Sequence, residues 1–190
     1  MHPCIVLKTR VIKILNMKKT LLVLVLAVLS MQINAQQDKK GAENTNKEKS
    51  LPDLTLSEVN GKQINVAKYG KADKITVIGF WATWCSPCKR ELMNLSDIYE
   101  EWKLKYGLQV VAVSIDDAKS LGKVKAYLEG QKWGFDVLLD VNQDLKRALD
   151  LPSVPYIIVV DKKGKIVFTH SGYVEGDEYV LEQELQRLEK

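Results

Sequence analysis

Phe80-Trp81-Ala82-Thr83-Trp84-Cys85-Ser86-Pro87-Cys88-Lys89-Arg90-Glu91 is the stretch on which the reading of this 190-residue chain turns. Ahead of it, Ile75 to Trp81 forms a continuous apolar, β-branched run, the pattern of a strand buried on both faces. Behind it, from Pro87 to Tyr106, Leu92, Leu95, Ile98, Tyr99 and Trp102 recur at helical spacing until Gly107 ends the pattern. The two cysteines therefore fall where a buried strand gives way, through a short loop, to a helix. Pro87 suits the first helical turn, where its missing N–H costs nothing. Unpaired N–H groups and the helix dipole at that end favour an anion. A thiolate is such an anion, so Cys85 is expected to hold its proton less tightly than a free thiol. Two intervening residues let Cys88 reach back to the same sulfur, and the pair can alternate between dithiol and disulfide.

Other uses of a cysteine pair make demands of their own. Structural zinc wants four ligands, yet past the first 35 residues the chain offers two Cys and one His, His170. Covalent haem wants His directly after the second Cys, where Lys89 stands. A purely structural disulfide suits an exported protein, although so small a loop removes little chain entropy. No metal and no cofactor is expected.

Outward from the cysteines, strands alternate with helices. Leu51 to Leu56 and Gln63 to Val66 flank Asn60-Gly61, a hairpin signal. Leu108 to Ile115 reads as a second buried strand, Ser120 to Glu129 as a helix, Phe135 to Leu139 as a short strand, and Leu145 to Leu149 as a short helix. Tyr156 to Val160 and Ile166 to Thr169 flank Lys163-Gly164 in a second hairpin, and Glu178 to Leu188 closes the chain as an amphipathic helix. The expected class is an α/β sandwich around a mixed sheet. The Asp116-Asp117 pair, after a strand end, reads as a turn or helix start, and His170 as a packed or surface histidine.

The charge has a simple origin. The chain carries a formal net charge of +4, which hints at nucleic acid or an anionic membrane. Residues 1–35 hold Lys8, Arg10, Lys13, Lys18 and Lys19 and no acid, and an apolar run from Leu21 to Leu29 follows the lysine pair. Basic residues, a short apolar run and a small residue at Ala35 are the parts of a secretory signal peptide, expected to be cleaved after Ala35. Met17 could begin such a signal by itself, which makes 1–16 either an upstream extension or a longer basic region. A retained anchor is the alternative, although the run is short of the ~20 residues a span needs. Without residues 1–35 the chain has 23 Lys+Arg against 24 Asp+Glu and two cysteines. Nothing then points to nucleic acid. Residues 36–50 are polar and read as a flexible linker, leaving one domain over 51–190.

The stretch from Phe80 to Cys88 resembles the active-site signature of the thioredoxin superfamily, and Val154-Pro155 resembles its cis-proline dipeptide. The N-terminal hairpin, the exported character, Glu91 three residues past the second Cys, and a central helix–strand insertion near 120–140 resemble the TlpA/ResA-type thiol–disulfide oxidoreductases. The resemblance implies a thioredoxin fold over residues 51–190. It makes Cys85 the exposed attacking thiolate and Cys88 the more buried resolving thiol of a redox-active disulfide. Pro155 would be cis and packed against that disulfide, with Val154 offering its backbone to a substrate strand. Trp84, Ser86 and Pro87 would contact substrate, and Trp81, packed in part into the core, would join Trp84 in shaping the apolar surface around the sulfurs. Glu91 would exchange a proton with the pair, its alternative being a solvent-facing charge. One position departs from the cytosolic thioredoxins, which carry a buried Asp six residues before the attacking Cys; Gly79 stands there.

The resemblance implies a periplasmic or otherwise extracytoplasmic protein that reduces disulfides in client proteins, apocytochrome c among the candidates. Electrons would come from a membrane-bound donor. An oxidase or isomerase of the same fold is the first rival reading, followed by a peroxidase and by a copper-binding carrier using the cysteines with His170.

Overall fold

The computed structural model describes residues 49–189. The expected signal peptide, and all but the last two residues of the expected linker, lie outside them. Lys49 and Ser50 already belong to the domain's edge: Ser50 bridges Lys165, and Ile166 donates its N–H to the Lys49 carbonyl at 2.8 Å.

Seven strands form one mixed sheet: β1 (Thr55–Glu58), β2 (Gln63–Asn65), β3 (Thr76–Trp81), β4 (Gln109–Ser114), β5 (Asp136–Leu139), β6 (Tyr156–Val160) and β7 (Ile166–Ser171), in the spatial order β2-β1-β5-β4-β3-β6-β7. Strands β3, β4 and β5 run parallel, and the pairings of β1 with β2 and β5, of β6 with β3, and of β7 with β6 are antiparallel. Four α-helices complete the thioredoxin-like fold: α1 (Ser86–Tyr106), α2 (Leu121–Glu129), α3 (Asp144–Ala148) and α4 (Asp177–Glu189). The N-terminal hairpin and the α2–β5 insertion are both present.

Every residue of β3 is buried, as its unbroken apolar run requires for a strand covered on both faces. The helix α1 ends at Gly107, which adopts the left-handed conformation at φ 61° and returns its N–H to the Lys103 carbonyl. Parallel neighbours need crossover connections, and α1 and α2 supply them from β3 to β4 and from β4 to β5. The C-terminal α4 packs beside α1. This places α1, with the cysteines at its start, against the central strands and beside the last helix.

Most boundaries fall within a residue or two of those expected, and the departures in the first hairpin have local causes. β1 begins at Thr55 because Pro52 has no N–H to give a ladder and Leu54 turns back onto the Pro52 carbonyl at 3.0 Å. Val66 leaves the strand for a short 3₁₀ turn, capped by the Asn65 side chain, which accepts from the Ala67 N–H.

Candidate active site

Cys85 is the N-cap of α1, with extended backbone at φ −92° and ψ 97°. Its sulfur accepts the Cys88 backbone N–H at 3.3 Å, and Pro87 occupies the first turn. Sequence puts an anion-preferring atom at this helix end, and the fold aims an N–H at it. Cys85 and Cys88 are joined in a disulfide, their Cα atoms 5.3 Å apart. Cys88 is fully buried and Cys85 is 5% exposed. Cys85, expected to be the exposed one of the pair, is thus less exposed than expected in the disulfide form, because its sulfur turns in over the first helical turn to meet Cys88. Trp84, 68% exposed, and Ser86 stand at the surface beside it, while Pro87 is half-buried.

The Val154–Pro155 peptide bond is cis. β6 runs antiparallel to β3 with Tyr156 opposite Phe80, so Pro155 arrives at the end of the sheet from which the Cys85 loop departs. Pro155 is buried and its carbonyl accepts the Gly172 N–H, whereas Val154 is half-buried.

Asp116 pins the loop between β3 and α1, a task that its reading as a turn signal does not anticipate. Its carboxylate is 2% exposed and accepts the Thr83 N–H at 2.8 Å, the Thr83 hydroxyl at 2.7 Å and the Ser114 hydroxyl at 2.9 Å. Three bonds satisfy a buried acid and hold the backbone two residues before Cys85. Asp117 does start a helix, capping the 3₁₀ turn Ala118–Ser120. Asp140 is a further buried acid that sequence reading missed, accepting the N–H groups of Leu145 and Lys146 at the start of α3. An Asp a few residues before a helical run is the signal that could have found it.

Trp81 takes the core-packing role expected of it in part, and takes it wholly. It is wholly buried, with Tyr127 of α2 and Trp133 each 5.4 Å away between ring centres. The apolar surface beside the disulfide is left to Trp84, because Trp81 is the last residue of a strand buried on both faces.

Glu91 is 4% exposed, which removes the solvent-facing alternative. It lies three residues after Cys88, on the same side of α1. Its Oε2 has no hydrogen-bond partner, and the residue lines a cavity between α1, β7 and α4. Burial, reinforced by the nearby Asp177 and Glu178 carboxylates, pushes the Glu91 carboxyl up from 4.5 to about 8. An acid that binds its proton more tightly when folded stabilises the fold fully below about pH 4.5, and that contribution declines as pH climbs to about 8.

Gly79 explains the missing aspartate of the cytosolic thioredoxins. A Cβ there would lie 3.1 Å from Leu92 Cδ2 and 3.4 Å from Ile157 Cδ1. Leu92 fills the space that a side chain would occupy. His170, on β7, pairs its Nε2 with Asp177 at 3.0 Å and stacks on Phe168.

Comparison with known proteins agrees with this geometry. The sequence profile of the AhpC/TSA family matches residues 48–169. The thiol-disulfide oxidoreductase ResA of Bacillus subtilis is 29% identical over 132 residues, which are 70% of this chain and 71% of that protein. ResA of Geobacillus thermodenitrificans is 28% identical over 153 residues, 80% of this chain and 84% of that one. The solved structure of a thioredoxin-like protein from Porphyromonas gingivalis superimposes with a TM-score of 0.65 at 40% identity, covering 73% of this chain and 90% of that one. With its cysteine pair at the start of α1 and its thioredoxin-like sheet, the chain belongs to the AhpC/TSA family and is a thiol–disulfide oxidoreductase of the ResA type.

Proposed function

We propose that this enzyme is exported and works as a reductase of disulfides in extracytoplasmic proteins, apocytochrome c among them, drawing electrons from a membrane-bound donor. The observation that carries the reading is Cys85 at the head of α1, its sulfur accepting the Cys88 N–H. In the reduced enzyme that N–H and the helix dipole favour the Cys85 thiolate. The thiolate attacks one sulfur of the client disulfide, and the other sulfur leaves as a thiolate that takes a proton from solvent. Cys88 then gives its proton to Glu91 and attacks Cys85, and the second client sulfur departs. Two electrons pass from the dithiol to the client, whose two thiolates are protonated from solvent, and the Cys85–Cys88 bond forms. Val154, beside the cis Pro155, offers its backbone to a client strand, and Trp84, Ser86 and Pro87 offer it contact.

Glu91 suits the proton step because a carboxyl pushed up to about 8 can both hold and release a proton near neutral pH. Beside the rival readings, a peroxidase places its attacking cysteine after a Thr/Pro pair, whereas Trp84 precedes Cys85. A copper carrier would need His170, which is engaged with Asp177.

Mixing the reduced full-length protein with insulin tests the reading. Reduction of the insulin disulfides is expected, and an unchanged insulin would overturn it. Glu91→Gln is expected to keep exchanging, about tenfold more slowly or worse, without the inflection near pH 8. The same variant is expected to lose the decline of folding stability between about pH 4.5 and about pH 8, worth about 2 kcal/mol or more, in urea melts of the oxidised form.

A further inference from the structure

A buried carboxyl that trades protons with a buried thiol must also trade them with water, and Glu91 is 4% exposed. Glu91 lines a small cavity, which His170 lines as well. About 20 Å³ of it is open to the centre of a water molecule, room for one water. Across this space stands His170. The strand register sets it there: Gly79 pairs with Ile157, and Ile157 pairs with His170, so the three share one row and one face of the sheet. The row that has no acid at Gly79 thus carries a histidine two strands away.

His170 reaches from the cavity wall to solvent, its side chain 32% exposed. Asp177 takes Nε2, which leaves Nδ1 outside that pair. The other polar groups at the cavity are already committed. The Tyr173 hydroxyl donates to Glu178, whose carboxylate also accepts from Asn94 and from the Gly176 N–H. Asp177 holds the Val174 N–H as well as His170. Titratable groups face the cavity from three sides: Glu91 on α1, His170 on β7, and Asp177 and Glu178 on α4, with Tyr173 in the loop before it. β6 contributes the apolar Ile157.

We propose that His170 is a positioning residue for the proton of Glu91: through one cavity water it passes that proton between Glu91 and solvent, with Asp177 orienting the ring and balancing its charge. A histidine paired with a carboxylate can do this at neutral pH. The step moves no electrons. When the enzyme's disulfide is reduced, Cys88 leaves as a thiolate and takes the Glu91 proton, and Glu91 is recharged through the water from His170, which draws from solvent. When the dithiol is oxidised, the proton runs the other way. The inference rests on the role proposed above for Glu91.

The test is single-turnover reduction of a fluorescently labelled disulfide peptide by the reduced full-length protein, from pH 6 to 9. His170→Ala and His170→Gln are each expected to be about tenfold slower near pH 7. Gln can still hydrogen-bond Asp177 but cannot carry the proton. Added imidazole, which fits where the side chain was, is expected to restore the His170→Ala rate in proportion to its concentration. A wild-type rate in either variant overturns the proposal, as does a slowed His170→Ala that ignores imidazole. If His170→Ala does not fold, His170→Gln decides alone by its rate. Glu91→Gln in the same assay separates the two levels. A changed profile in it, with His170 variants at the wild-type rate, overturns only the His170 role, whereas an unchanged Glu91→Gln profile overturns both.

Discussion

Cys85→Ser is expected to lower the rate of attack on a disulfide probe by at least about a thousandfold, while Cys88→Ala keeps the attack and stalls after it. The asymmetry follows from where the two sulfurs stand. Cys85 caps α1, retains some surface, and accepts an N–H that favours its ionised form. A serine hydroxyl fits the same place but stays protonated at neutral pH and cannot attack. Cys88 has no exposed surface, so a client reaches it only through Cys85. Cys88→Ala therefore accumulates a mixed disulfide between Cys85 and the client, visible as a covalent adduct by intact-protein mass spectrometry. An adduct formed by Cys85→Ser through Cys88 would reverse the assigned roles.

Gly79→Asp, which restores the acid of cytosolic thioredoxins, is expected to destabilise the oxidised protein by on the order of 5 kcal/mol. Gly79 lies in the buried central strand β3, and Leu92 and Ile157 already occupy the space its Cβ would enter. The new carboxyl would have to displace Leu92 and would find an apolar environment without a partner. Gly79→Ala isolates the steric part and is expected to cost about 1–3 kcal/mol. Urea denaturation at pH 7 measures both. An Asp variant within about 1 kcal/mol of wild type would mean that the sheet row can host a buried acid, and that Glu91 has no special claim on the proton. That threshold is small against the several kcal/mol of an unpaired buried charge.

Much of this was legible in the sequence because it rests on local pattern. An unbroken apolar run reads as the buried β3, a helical stripe ended by glycine reads as α1, and the cysteines fall at their junction in both descriptions. Asp116 and Asp117 show where local pattern stops. Two adjacent acids after a strand look alike in sequence, yet one caps a helical turn and the other reaches across to Thr83, 33 residues earlier in the chain. Only the parallel pairing of β3 with β4, which sets Trp81 opposite Ser114, brings that loop within reach. Trp81 was expected to divide itself between the core and the surface it shares with Trp84, and it lies wholly in the core, since it ends a covered strand and Trp84 follows it in a loop. The chemistry of Glu91 was half visible. Its spacing from Cys88 gave the face, but its burial depends on α4, whose packing comes from the far end of the chain.

The central claim is that Cys85 and Cys88 form a reducing couple, and its reduction potential tests that most directly. Equilibrating the full-length protein at pH 7 in dithiothreitol buffers of graded ratio, and quantifying the free thiols, gives the value. The account predicts a potential near about −270 mV, in the range of a thioredoxin-type reductant. A value near about −120 mV would mark an oxidant and contradict it.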